Sequence, residues 1–235
     1  MSVKTNAVRL GLRRGWLEFN QSIRSTQDIG WYVFMSLVVL GYLFLRRDSE
    51  VEGTDLLVPV VSMPSTLAAL VAFGEVTGPP YTLAMQREDG TLLRLKAVPN
   101  GLPGYVVSQI LTPSLGAFVQ LPLIIVPAFL LFDGLMSNGV AGWAALVGFT
   151  VLGLLAMLPI GMIIGALVPS TQKVGTWGML PVMVLAAISG IFYPIQALWG
   201  WVQVVAQLFP MYWVGLGLRS AFLPDGAAEL ESAWA

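Results

Sequence analysis

"MQREDGTLLRLKAVP", residues Met85 to Pro99, sets Arg87, Glu88, Asp89, Arg94 and Lys96 close together. From Ala97 to Leu218 the chain then carries only Asp133 and Lys173 as charged residues. Apolar sequence lies on both sides of the charged island. That pattern reads as a short aqueous crossing between two membrane-spanning helices, and the rest of the architecture follows from it.

The composition supports lipid as the solvent. Of 235 residues, 56% are hydrophobic and 11% are charged, whereas a soluble domain carries about 25% charged residues. The net charge is -1 and there is no basic tract, so nothing points to a nucleic-acid partner. Cysteine is absent, which excludes a disulfide framework and thiol chemistry. Histidine is absent too, removing the commonest general base and metal ligand. The first 28 residues contain Lys4, Arg9, Arg13, Arg14, Glu18, Arg24 and Asp28 and no continuous apolar run, which argues against a signal peptide.

A bilayer core needs about 20 apolar residues of helix. Five segments meet that need, at 29–45, 56–74, 102–132, 140–168 and 174–193. The third and fourth exceed the minimum and must tilt, kink or protrude. Pro113, Pro122 and Pro127 favour kinking in the third, and Pro59 and Pro64 in the second. Basic residues set the orientation. With the N-terminus inside, Lys4, Arg9, Arg13, Arg14, Arg24, Arg87, Arg94, Lys96 and Lys173 are cytoplasmic, and Arg46, Arg47 and Arg219 are outside. The acids lean outward, with Asp48, Glu50, Glu52, Asp55, Asp133, Asp225, Glu229 and Glu231 on that side. The charged island is therefore cytosolic, spanning 79–99.

Residues 1–28 are expected to form an amphipathic interfacial helix. Val8, Leu12, Trp16, Phe19 and Ile23 share one face at helical spacing, with Arg9, Arg13 and Arg24 away from it. Trp16 and Phe19 suit the acyl boundary, and Arg9 and Arg13 suit lipid phosphates. After the fifth span, residues 194–218 carry no charge but are poor material for a sixth span. Trp199, Trp201, Tyr212 and Trp213 are interfacial types, and Gln196, Gln203 and Gln207 are costly in lipid without partners. Two short outer-leaflet helices are expected instead, turning near Pro210.

Catalytic signatures are missing. There is no G-x-x-x-x-G-K-[ST] phosphate loop, no H-E-x-x-H and no G-x-S-x-G elbow. No paired carboxylates or metal cluster stand out, so no catalytic and no metal-binding residue is assigned. Asp133 and Lys173, in "VPSTQKVGT", read as solvated loop residues. No internal repeat is visible, which weakens the case for a secondary transporter built from inverted halves.

The flanks of the island are informative. Pro79 and Pro80 are expected to start a helix, Gly90 to interrupt it, and Pro99-Asn100-Gly101 to end the segment. The run Arg87-Glu88-Asp89-Gly90-Thr91-Leu92, followed by Leu95 and Pro99, resembles the "ERE-x-G-T-L-x-x-L-x-x-x-P" signature of ABC-2 type export permeases, the daunorubicin-resistance and polysaccharide-export membrane subunits. It departs at Gln86, where that family usually has an acid. Farther on, Gly190, Phe192, Pro194, Trp201, Val202, Val205, Pro210, Met211 and Trp213 resemble the family's re-entrant signature. The proline usual before the tryptophan is Gly200 here.

The resemblance implies an all-α integral membrane domain of the ABC-2, type V exporter-like kind: one domain over 1–235, with interfacial helix, coupling segment and re-entrant helices. It implies that Arg87, Glu88, Asp89, Gly90, Thr91, Leu92 and Arg94 couple to an ATPase, and that Phe192, Pro194, Trp201, Pro210 and Trp213 belong to the re-entrant stretch. The family has a sixth span after these helices, so a chain cut short before it is expected. The function implied is a permease subunit in a bacterial plasma membrane, exporting a hydrophobic drug, lipid or lipid-linked substrate. ATP and Mg would sit on a separate ATP-binding subunit, with no cofactor on this chain. A second permease chain, identical or paralogous, and membrane lipid would be its other partners. The alternative is a non-transporting scaffold or assembly subunit of the same topology; a membrane enzyme is the weakest reading.

Overall fold

The structure is a computed structural model. It describes residues 3–50, 57–132, 134–135, 138–191, 195 and 198–223, with side chains from residue 7 onward. Among the described residues ten α-helices occur in the order α1 (Val3–Ser22), α2 (Thr26–Leu45), α3 (Val58–Glu88), α4 (Thr91–Lys96), α5 (Gly101–Leu131), α6 (Gly139–Leu167), α7 (Thr171–Lys173), α8 (Met179–Ile188), α9 (Gly200–Gln207) and α10 (Pro210–Phe222). A π-helical turn, Val174–Gly178, joins α7 to α8. No strand occurs among the described residues; the only pairing of that kind is an isolated antiparallel bridge between Glu50 and Leu57.

Among the described residues four helices, α2, α3, α5 and α6, are long and apolar enough to cross a membrane. The stretch expected as a fifth span is helical from Thr171 to Ile188, interrupted by the π turn. At about 1.5 Å per residue those 18 residues reach roughly 27 Å, near the lower limit for a span.

One boundary differs from the sequence reading. Pro79 and Pro80 do not start a helix; they lie inside α3, which runs unbroken to Glu88. A proline in a helix interior costs one backbone hydrogen bond and a steric clash. Here the loss is offset by packing, because both prolines are buried and Pro80 lies against Gly161 and Gly165 of α6. Gly90 does interrupt the segment, at φ 73°, and Asn100, at φ 60°, precedes α5.

Small residues decide how closely the helices approach. A Cβ on Gly161 would lie 2.4 Å from the Glu75 carbonyl oxygen, and one on Gly165 would lie 2.7 Å from Pro80 Cα. Val71 faces Gly153, farther toward the start of α6. Residue numbers thus rise together along the two helices, so α3 and α6 run parallel. On the other flank, α1 lies along the first half of α5, where a Cβ on Gly11 would meet Val107 Cβ at 2.4 Å and one on Gly15 would meet Leu111 Cβ at 3.0 Å. The core joins α3, α5, α6 and α10 through Met63, Leu67, Ile124, Met157, Leu218 and Phe222, all almost wholly buried.

The last two helices return the chain to the end it left. Arg219 Nη1, near the end of α10, donates to the carbonyl of Gly190, just beyond α8. Asn138 Nδ2, just before α6, donates to the carbonyls of Ser220 (2.9 Å) and Leu223 (2.8 Å). Gly190, Arg219 and Asn138 therefore share one end of the bundle. Between them α9 leads in and α10 leads back, with an 88° bend at Leu208–Phe209.

Candidate functional site

The charged island lies at the opposite end, and its residues divide into two groups. Arg87, on the last turn of α3, reaches the end of α6. Its Nη1 donates to the Val168 carbonyl at 3.0 Å, and its Nη2 to the carbonyls of Gly165 (3.0 Å) and Ala166 (3.4 Å). The final carbonyls of a helix lack intrahelical donors and carry partial negative charge. A guanidinium, with its rigid fork of donors, satisfies both needs. Glu88 serves the next helix start. Its Oε1 accepts from the Thr171 amide at 2.9 Å, and its Oε2 accepts from the Thr171 hydroxyl at 3.1 Å. Adjacent residues of opposite charge thus clasp the end of α6 with one hand and the start of α7 with the other.

The second group faces away. Asp89 Oδ1 accepts from the Thr91 amide at 2.8 Å, closing the turn into α4. The Thr91 hydroxyl, then its amide, hold the Asp89 carboxyl below its ordinary value. Arg94 Nη2 donates to the Asp89 carbonyl at 3.2 Å. Gly90 supplies the left-handed residue between α3 and α4, a conformation glycine adopts without Cβ strain. Thr91 and Leu92 are half-buried, while Asp89, Leu93, Arg94 and Lys96 are exposed. The result is a short, amphipathic, solvent-facing helix whose base is locked to the α6–α7 loop.

Of the interfacial residues, Arg9, Arg13 and Trp16 are exposed, whereas Phe19 is buried with Ala7, Gly11 and Gly15. The α1 seam against α5 is polar as well as close. Arg14 Nε pairs with Glu18 Oε1 at 2.7 Å, its guanidinium lies 5.1 Å from the Tyr105 ring centre, and Thr112 donates to Glu18 Oε2 at 3.1 Å. Among the re-entrant residues, Trp201 and Trp213 are exposed and Pro210 opens α10. Phe192 and Pro194 lie outside the described residues, as does Asp133. Trp213 Nε1 donates to the Gln207 carbonyl across the bend.

Sequence reasoning missed the partners of the clasp, since "VPST" carries no charge to advertise it. It also missed Glu75, which stands one residue beyond the apolar run given as the second span. The long α3 instead encloses it, leaving it 2% exposed. Among the described residues no group of three His, Cys, Asp or Glu side chains is placed to hold a metal ion.

The fold and this site together define a polytopic, all-helical membrane domain with an amphipathic N-terminal helix, a docked, solvent-facing short helix after the second long helix, and a bent helix pair near its end. A family model described as ABC-2 type transporter matches residues 12–223, and the chain belongs to that family. It is accordingly a membrane subunit of the ATP-binding cassette transporter class, a family that works with an ATP-binding partner. No curated protein and no solved structure gives a significant match to the chain.

Proposed function

We propose that this chain is the permease subunit of an ATP-driven exporter in a bacterial plasma membrane, with its N-terminus in the cytoplasm. It pairs with a second permease chain and moves a hydrophobic drug, lipid or lipid-linked substrate outward. ATP and Mg are bound and spent on the separate subunit. The observation that carries this reading is the clasp. Arg87 and Glu88 tie the solvent-facing α4 to the ends of α6 and α7, so a push on α4 reaches two further helices. An ATP-driven motion can bias membrane conformations only through contacts that differ between states, and this tie supplies a mechanical route to them.

The two groups of charges have separable duties. Asp89, Leu93, Arg94 and Lys96 form the face offered to the ATP-binding subunit; Arg87 and Glu88 transmit its motion. Reversing Arg94 and Lys96 together to Glu is expected to release the ATP-binding subunit during co-purification. Glu88→Ala is expected to keep that subunit bound but abolish substrate-stimulated ATP hydrolysis, while Glu50→Ala, at the far end, changes neither. Retained assembly in the double reversal, with normal stimulation in Glu88→Ala, would refute the coupling assignment and favour a non-transporting scaffold.

A further inference from the structure

We propose that Glu75 is a proton-binding carboxyl at a hinge of α3, and that its loading sets whether the α3–α6 seam can close. The observation is geometric. Glu75 is 2% exposed, and its Oε2 has no hydrogen-bond partner. It stands well inside a 31-residue helix long and apolar enough to span a bilayer. An uncompensated negative charge is costly in such surroundings, and ionisable residues within spans mark functional positions.

Among the described residues no cation is paired with it. α6, pressed directly against this turn, has no ionisable side chain between Gly139 and Leu167, and neither do the π turn nor α8. On α10, Arg219 bonds to the Gly190 carbonyl at the other end, and Tyr212, in the first turn of the helix, is its other titratable group. On α5, Tyr105 lies under Arg14 of α1. On α2, the titratable groups are Asp28, Tyr32 and Tyr42; on α4 and α7 they are Arg94, Lys96 and Lys173, all three exposed. The backbone beside it is tightly packed, for a Cβ on Gly161 would stand 2.4 Å from the Glu75 main-chain carbonyl oxygen. With no cation opposite it, the carboxyl loses its charge by taking up a proton.

The same turn is built to bend. Pro79 and Pro80 have no amide hydrogen, so the carbonyls of Glu75 and Val76 lose their usual helical donors. Gly74 and Gly78 flank the turn and face open space. With a proton on Glu75, the carboxyl is neutral and the seam closes on Gly161 and Gly165. Without it, the charge favours a conformation in which α3 bends and admits water.

The test uses the full-length chain in membranes. Dicyclohexylcarbodiimide, an apolar reagent that adds to protonated carboxyls, is applied across a pH series, and adducts are located by peptide mass spectrometry. The expected result is an adduct on Glu75 whose yield falls roughly tenfold per pH unit above a midpoint. Sodium in place of choline should leave it unchanged. No adduct at any pH, a yield independent of pH, or protection by sodium would overturn the proposal. This arm needs no ATP-binding subunit, so its failure is separate from a failure of the coupling reading. In the assembled transporter, Glu75→Gln should flatten the pH profile of ATP hydrolysis, and a profile identical to that of the parent protein would also overturn it. Should Glu75→Gln fail to assemble, the labelling of the parent chain decides.

Discussion

Single residues set the clasp end, and they do so by backbone geometry as much as by charge. Gly90 sits at φ 73° between α3 and α4, where a residue with a Cβ costs roughly 1–2 kcal/mol. Gly90→Val should therefore misdirect α4 and lower ATP-binding-subunit recovery in co-purification, whereas Gly90→Asn, which tolerates that conformation better, should restore most of it. Asp89 gives a pH expectation with a definite sign. Its folded value is lowered, first by the Thr91 hydroxyl, so its contribution is present above the unfolded value, about 3.9. That contribution is lost as pH falls through the folded value, below the ordinary range. Protection of the Thr91 amide, corrected for intrinsic exchange, should be flat through neutral and mildly acidic pH and fall only in stronger acid. A decline beginning near neutrality would mean that another group holds the turn. The charges of this segment were legible in the sequence because charge is rare in the chain. Their partners were not, because Arg87 bonds only to backbone carbonyls at 165–168 and Glu88 to the backbone amide and uncharged hydroxyl of Thr171, none of which stands out in the sequence.

At the scale of elements, long apolar runs announced the helices, but the joints between them were silent. A proline pair reads locally as a helix start, and only burial against Gly161 and Gly165 explains why α3 continues through it. The apolar run read from the sequence ends at residue 74, one residue short of Glu75, whereas α3 continues to Glu88 and encloses it. Glycines are silent for a related reason, since sequence cannot tell a glycine that admits a neighbour from one facing open space. The structure separates them. Gly11 and Gly15 seat α1 on α5, while a Cβ on Gly30 of α2 would meet nothing within 4 Å. Overfilling a packed seam typically costs about 1–3 kcal/mol. Gly11→Leu should therefore lower the thermal midpoint of the detergent-purified chain by several degrees and expose α1 to protease. Gly30→Leu should leave both unchanged. Equal effects from the two substitutions would show that α1 does not dock on α5 through this face.

For the whole molecule, the two ends have different characters, and this fixes the orientation to be tested. One end gathers the start of α2, the clasp, α4 and Lys173, and α1 lies along the first half of α5. The other holds the Glu50–Leu57 bridge, Asn138, Gly190 and Arg219. Of the twelve Lys and Arg residues, nine belong to the first end and three, Arg46, Arg47 and Arg219, to the second. Basic residues near span ends favour the cytoplasm, so the clasp end should face inward. The chain has no cysteine, which makes it a clean background for labelling. Lys96→Cys and Gln172→Cys, both at exposed positions of the clasp end, should react with a membrane-impermeant thiol reagent only after cells are opened. Asp48→Cys, exposed at the other end, should react in intact cells. The pairing of Lys96 with Gln172 adds a test of the fold, because the hydrogen bonds from Arg87 and Glu88 to 165–171 require the two loops to share a side. Labelling of Lys96→Cys and Gln172→Cys from opposite sides would break the clasp and the helix order with it. Labelling of both from outside would keep the fold but invert the molecule, leaving α4 with no access to a cytosolic ATPase.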